Sequence, residues 1–332
     1  MNHYDVYGIG HALVDMELHV PDAFLAEAGL QKGTMSLVDE PFQQRLLQQV
    51  AGLPHHRSCG GSSANTLIGL AQFGGRGFHA CKVADDEAGT FFAQDMRMNG
   101  VENSLNQSRP PGTTGRCLVF ITPDAERTLC THLGISETFS TEQISEHLLA
   151  QAEYLYVEGY LVSAPSGQAA TLEAARMARK RGVKIALTFS DTSMVTYFRP
   201  GLDAIIGDGL DLLFCNESEA MAYTESQTLE QAKNRLTHIA KRVGLTLGAE
   251  GAAIYTGERW ITVPGIPVQA IDSNGAGDLF AGAFLFGITH GYSLAKAGEL
   301  ACHAASLLVT QSGARLKSGQ ANTLLNHLES AE

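Results

Sequence analysis

The spacing of apolar residues divides the chain into two rhythms. Residues 13–20, Leu-Val-Asp-Met-Glu-Leu-His-Val, alternate apolar with polar, the period of a strand with one buried face. Residues 34–38, 116–122 and 128–133 are short β-rich runs, the last two joined by the turn-forming Pro123-Asp124-Ala125-Glu126. No long helical pattern interleaves these four runs, which predicts a small sheet separate from the main body. From Tyr154 onward the rhythm changes. Strands at 154–158, 184–188, 211–215 and 243–247 alternate with helical patterns at 166–181 and within 217–242. That alternation predicts βαβ units and a parallel sheet.

The remaining elements fill in around these. Residues 4–8 form a strand ending at Gly8-Ile9-Gly10, but Leu13 stands at the third glycine position of a dinucleotide fingerprint and no helical pattern follows, so a Rossmann reading fails. Short helices are expected at 21–29 and 41–50, and a strand at 78–83. Asp85-Asp86-Glu87 then opens a helix running to Asn99, with acidic residues suited to its N-terminus. Residues 252–256 and 259–263 pair as a hairpin, the apolar run 266–271 reads as a strand, and an Ala- and Ser-rich helix covers about 294–310. Only the last dozen residues look loose.

Composition narrows the function classes. At 332 residues with 44% hydrophobic content, the chain suits one large α/β domain with an appendage, or two domains. No apolar window reaches the length of a membrane span, and the N-terminus has neither the basic nor the apolar region of a signal peptide, so the expected location is cytoplasmic. A formal charge of −12 argues against nucleic acid or an anionic membrane as a partner. The six cysteines are scattered singly, without a Cys-x-x-Cys pair, which suits buried thiols rather than disulfides or zinc ligands. P-loop, His-Glu-x-x-His and Gly-x-Ser-x-Gly motifs are all absent.

The chemistry gathers in a few windows. Asp272-Ser-Asn-Gly-Ala-Gly-Asp278 lies between an apolar run and a long small-residue helical segment. There Gly275, Ala276 and Gly277 would present helix N-terminal amides to an anion, and Asp278 would sit close enough to take a proton from a bound hydroxyl. That pairing points to phosphoryl transfer to an alcohol, though the window alone also fits an ordinary capped helix start. Cys59-Gly-Gly-Ser-Ser-Ala-Asn65 is a second glycine turn into a helix, and Asn65 offers both a donor and an acceptor to a polyol. Asp15 is an acid on an alternating strand, fit for ligand hydroxyls or for solvent. Asn216-Glu-Ser-Glu219 and the turn 246–251 follow strands, where open parallel sheets bind ligands. The first can hold a water-coordinated Mg²⁺ or simply cap a helix.

Taken together, Gly60-Gly61-x-x-x-Asn65, Asn216-Glu-x-Glu219 and Asp272-x-x-Gly-Ala-Gly-Asp278 resemble the signatures of the ribokinase (PfkB carbohydrate kinase) family. The order and spacing of these motifs agree from Tyr4 to about Arg315. Within the family the likeness is greatest to bacterial adenosine-kinase-like proteins, through 22–25, 61–66, 82–87, 122–128, 158–161 and 279–287. The resemblance implies one ribokinase-like three-layer α/β/α domain over 1–332, with a small β-sheet lid formed by about 11–40 and 113–135. It implies an ATP-dependent kinase acting on a hydroxymethyl group, with adenosine first and a free sugar such as ribose, ribulose or fructose as the alternative. A catalytically silent nucleotide-binding protein is the competing reading from another class.

The resemblance also implies roles. Asp278 is the expected base, and the Gly275–Gly277 amides the anion hole. His11, Asp15, Gly61, Ser62 and Asn65 are expected at the acceptor, and Arg127 at the phosphates once the lid closes. Asn216 and Glu219 organise Mg²⁺; Asn216, Thr246, Gly248 and Gly251 border ATP, and Cys302 and His303 cover its adenine. The Asp272 loop is a possible K⁺ site, and the protein is expected as a monomer or homodimer. His11 stands where adenosine kinases usually carry Asn, Ser273 replaces a usual Thr, and Cys81 a common Gly.

Overall fold

The structure is a computed structural model that describes residues 3–105, 109–124 and 126–330, which leaves Ala125 of the expected turn outside the described residues. Strand β1 (Tyr4–Ile9) opens a large sheet, and the chain then crosses to a smaller one for β2 (Leu13–His19), β3 (Met35–Leu37) and β4 (His55–Gly60). It returns for β5 (Gly77–Ala80) and β6 (Val101–Asn103), and crosses again for β7 (Thr114–Ile121) and β8 (Arg127–Gly134). Thereafter it stays in the large sheet. Strands β9 (Ala152–Glu158), β10 (Lys184–Thr188), β11 (Leu212–Asn216) and β12 (Val243–Thr246) run parallel, and β13 (Gly251–Tyr255) with β14 (Trp260–Pro264) closes one edge as an antiparallel hairpin.

The large sheet has the order β14-β13-β12-β11-β10-β9-β1-β5-β6, and the small one β3-β8-β7-β2-β4. From β1 the chain builds outward through β5 and β6, then starts again at β9 and builds the other way. The order therefore reverses between β1 and β9, and a crevice opens at their carboxyl ends. Both faces of the large sheet are covered. Tyr154, Tyr156 and Phe214 pack with the helices Ser62–Gln72, Ala276–Thr289 and Leu294–Leu308, while Leu155, Val157 and Leu213 pack with Pro165–Arg181 and its neighbours. Alternate residues of one strand thus feed two cores, as a parallel sheet between helical layers requires.

The small sheet is two-faced as well. Leu18, Leu118, Phe120 and Cys130 pack under the helices Asp22–Ala28 and Glu40–Gln49. The opposite face carries Leu13, Asp15, Cys117, Leu129 and Thr131 towards the crevice. The period-two pattern of 13–20 therefore has the expected consequence, because Asp15 and Leu13 share the face opposite Val14 and Leu18.

Three details differ from the sequence reading. The small sheet has five strands among the described residues, because His55–Gly60 pairs antiparallel with β2 although it carries no apolar period. Residues 266–271 are not a strand: Pro264, Gly265 and Pro267 end the ladder at the sheet edge, and Val268 and Ile271 are exposed. The chain end is a helix, Gln320–Ser330, whose Ala321, Leu324, Leu325 and Leu328 dock on the main core at helical spacing. All six cysteines are buried and unbridged. No helix of the described residues is long and apolar enough to cross a membrane.

Candidate active site

Two helices organise the crevice. Ser62–Gln72 and Ala276–Thr289 lie side by side, and a Cβ on Gly282 would stand 2.4 Å from the Thr66 carbonyl oxygen. Only glycine lets the two backbones come that near. The close approach sets the two N-termini next to each other, Gly61 capping one and Gly275 the other, both with positive φ. Asp278 lies in the first turn of its helix. Its Oδ1 accepts from the Ser62 hydroxyl at 2.6 Å and its Oδ2 from the Asn65 side-chain amide at 3.1 Å. Burial raises the Asp278 pKa, and those two hydrogen bonds partly offset the rise.

The strand ends and loops supply the other wall. Gly61 has φ +98°, and a Cβ there would meet the His11 carbonyl oxygen at 2.4 Å, so the turn needs glycine on both counts. His11 is buried; its Nδ1 lies 3.2 Å from the Ser136 carbonyl oxygen and 3.1 Å from Ser136 Oγ. Burial lowers its pKa to about 4, so the imidazole is neutral near pH 7. Beneath it Glu158, at the end of β9, accepts from the backbone N–H of Ser63 at 2.8 Å and of His11 at 3.3 Å. Its pKa is pushed up to about 8 by burial. Asp15 faces the same space, and desolvation raises its pKa to about 7 against the attraction of Arg315.

These residues line one cavity of about 580 Å³, together with Tyr160, Phe214, Asn216, Glu219, Gly244, Thr246, Gly275, Gly277 and Phe280. A Cβ on Gly277 would meet nothing within 4 Å, so its backbone borders open space. Asn216 and Glu219 form a reciprocal cap: Glu219 N–H donates to Asn216 Oδ1 at 2.9 Å, and Asn216 Nδ2 donates to Glu219 Oε1 at 2.8 Å. Burial lifts the Glu219 pKa to about 7. Five carboxyl side chains, of Asp15, Glu137, Glu158, Glu219 and Asp278, thus share a cavity whose lining contains no Lys or Arg. An anion entering it needs accompanying positive charge, and hard oxygen donors suit Mg²⁺, which keeps several waters. Since Asn216 engages both Glu219 oxygens, the fit is through water rather than direct ligation.

The structure gathers His11, Asp15, Gly61, Ser62, Asn65, Asn216, Glu219, Thr246, Gly275, Gly277 and Asp278 around this cavity, with Ala276 between the last glycines. Gly248, Gly251, Cys302, His303 and Arg127 lie outside its lining. Cys302 is buried in the core, and His303 sits near His327 with ring centroids 6.1 Å apart. Arg127 bridges the two sheets' territories instead, with Nη1 3.0 Å from Glu17 and Nη2 2.7 Å from Asp272. Sequence reasoning missed Glu158, Ser136 and the residues around Arg315. The signal for Glu158 was its place at the end of a β-strand, an acid following four apolar or aromatic residues, Tyr154 to Val157.

Comparison with known proteins agrees with this geometry. The model of the pfkB family carbohydrate kinases matches residues 50–320. The chain is 35% identical to the crystal structure of adenosine kinase from Sinorhizobium meliloti, with a TM-score of 0.87 and 99% of each chain covered. It is 33% identical to a probable sugar kinase from Rhizobium etli CFN 42, with a TM-score of 0.89 over 98% of this chain and 99% of that one. Among curated sequences it is 26% identical to adenosine kinase of Saccharomyces cerevisiae over 92% of this chain and 94% of that protein. A 5-dehydro-2-deoxygluconokinase of Clostridium perfringens is also 26% identical, over 75% of this chain and 78% of that protein. Motif order, ribokinase-like fold and these likenesses converge, and the chain belongs to the pfkB family of carbohydrate kinases, phosphotransferases with an alcohol group as acceptor.

Proposed function

We propose that the protein phosphorylates the hydroxymethyl group of adenosine from Mg²⁺·ATP. The observation that carries the reading is the Asp278 carboxylate, held by Ser62 and Asn65 where two helix N-termini meet beside the cavity. Asp15 and Asn65 accept and donate to the sugar hydroxyls, which fixes the hydroxymethyl oxygen near Asp278. That oxygen gives its proton to Asp278 and forms a bond to the γ-phosphorus, while the bond to the β-bridging oxygen breaks and ADP leaves with the electron pair. The Gly275–Gly277 amides face the transferring group and stabilise its charge. Burial serves this step, because a carboxylate with a raised pKa is a stronger base. Asn216 and Glu219 would hold Mg²⁺ through water, and the ion when bound would neutralise phosphate charge.

The small sheet acts as a lid in this reading, with Leu13, Met35, Leu37, Leu129 and Leu133 on the face towards the acceptor. That apolar wall favours a nucleoside over a free sugar, since a purine buries apolar surface that a pentose leaves wet. The missing Lys and Arg in the lining disfavour a phosphosugar. A free sugar such as ribose, ribulose or fructose is the second reading, favoured by the polar floor of His11, Asp15 and Asn65. Asp272 already accepts from Arg127, Asn274 and Gly313, so the reading needs no K⁺ at that carboxylate. Helices cover the small sheet's outer face, which supports a monomer. The test is ADP release with adenosine, inosine, guanosine, ribose, ribulose and fructose. Fastest turnover of adenosine is the expected result; fastest turnover of a sugar overturns the nucleoside, and nucleotide binding without turnover of any overturns the kinase step.

A further inference from the structure

The segment after the Leu294–Leu308 helix touches one of the two helix N-termini that build the site and the strand end that leads into the other. Ala314 lies against Gly275, where an added Cβ would stand 2.5 Å from the Ala314 Cβ. One residue on, Arg315 Nη2 donates to the Cys59 carbonyl oxygen at 2.5 Å and lies 3.0 Å from Asp95 Oδ2. Asp95 in turn accepts the Cys59 N–H at 2.8 Å. Both backbone groups of Cys59 are therefore tied to one half-buried ion pair, directly before Gly60 and the Gly61 cap. Gly60 borders Asp15: a Cβ on it would fall 2.3 Å from the Asp15 carboxylate. Arg315 attracts Asp15 more strongly than Arg127 does, while Glu17 and Asp278 repel it. The thiols of Cys59 and Cys117 also face Asp15.

We propose that Arg315 is a positioning residue for the acceptor site, fixing the β4-to-helix junction through Cys59 and Asp95 and supplying the positive charge behind Asp15. The inference rests on the acceptor-binding role given to Asp15 above. Nothing in it requires Arg315 to touch substrate. A guanidinium spanning two partners does this where an ammonium does not, because its donors are fixed in a fork. Removing the charge leaves Asp15 with only repulsive neighbours and Arg127, so Asp15 holds its proton to higher pH.

The experiment compares wild type, Arg315→Gln, Arg315→Lys, Asp95→Asn and Asp15→Asn from pH 5.5 to 9, varying whichever of adenosine and ribose the wild type phosphorylates faster. Arg315→Gln is expected to raise the acceptor KM about tenfold or more while leaving the ATP KM within about twofold. Its acidic limb of kcat/KM should move up by about one pH unit. Arg315→Lys should restore the limb but not the KM, and Asp95→Asn, which loosens the tie yet keeps the charge, should raise KM without moving the limb upward. An unmoved limb in Arg315→Gln, or equal loss for acceptor and ATP, overturns the proposal. If Arg315→Gln does not fold, an upward limb shift in Asp95→Asn overturns it equally. An unchanged acceptor KM in Asp15→Asn sinks the acceptor-site reading itself and separates that failure from failure of the Arg315 role.

Discussion

Ser62 donates its hydroxyl to Oδ1 of Asp278 at 2.6 Å across 216 residues of sequence, so the two glycine-capped helices share one carboxylate. The bond orients Asp278 and lowers a pKa that burial raises. Asp278→Asn should cut kcat by about 10²–10⁴-fold, with ATP affinity little changed, because the lost interaction is made in the transition state. Ser62→Ala should cost about tenfold in kcat. It should also move the acidic limb of the rate profile to higher pH, since an interaction favouring the charged form is gone. Steady-state kinetics with a pH series reads both; near-normal turnover of Asp278→Asn removes it from the role of base.

Arg127 joins the small sheet to the loop that begins the anion site, with its guanidinium between Glu17 and Asp272. Both Arg127 and Asp272 side chains are largely buried, so breaking the pair leaves a desolvated charge rather than a solvated one. The pair ties the small sheet to the loop that leads into Asp278. Arg127→Met should therefore speed amide hydrogen exchange across 116–133 in the free protein. In the wild type, adenosine with a non-hydrolysable ATP analogue should slow that exchange further. Exchange that ignores both the substitution and the ligands rules out a moving lid.

Much of this site was legible in the sequence. Asp272–Asp278 and Gly60–Asn65 announced themselves because a glycine cap and the polar residues beside it are local features, and the alternation of 13–20 put Asp15 on the right face of its strand. The pieces that were not legible depend on distant partners. Glu158 meets His11 and Ser63 across 147 and 95 residues, and Arg315 meets Cys59 across 256, distances over which no periodicity speaks. Strand β4, His-His-Arg-Ser-Cys-Gly, is polar at most positions and is a strand because β2 offers an edge to pair with. The opposite error came at 266–271, where apolar content suggested a strand and two prolines forbade the ladder.

Glu158 gives a stability signature. It is 1% exposed, receives two backbone N–H groups, and burial still lifts its pKa to about 8 from an ordinary 4.5. The folded state thus binds its proton more tightly than the unfolded chain does. The contribution is at its most favourable below the unfolded pKa and is lost as pH rises from about 4.5 to about 8, at up to about 1.4 kcal/mol per pH unit. Glu158→Gln, which is neutral at every pH, should show a smaller fall in Tm between pH 6 and pH 9 than the wild type. Parallel Tm curves for the two proteins contradict the assignment.

The substrate turns on His11. Its ring is buried at the cavity wall beside Ser136, and it is neutral near pH 7. A neutral imidazole offers one donor and one acceptor on opposite sides of a ring, one of them already committed to Ser136, whereas an Asn amide presents both side by side. The apolar wall of the small sheet suits a purine, and an amide at position 11 would add a paired contact to the nucleoside without disturbing that wall. His11→Asn should therefore keep or raise kcat/KM for adenosine and lower the ratio of ribose to adenosine turnover. The opposite result, adenosine turnover lost and ribose turnover kept, shows that this pocket was built around a free sugar.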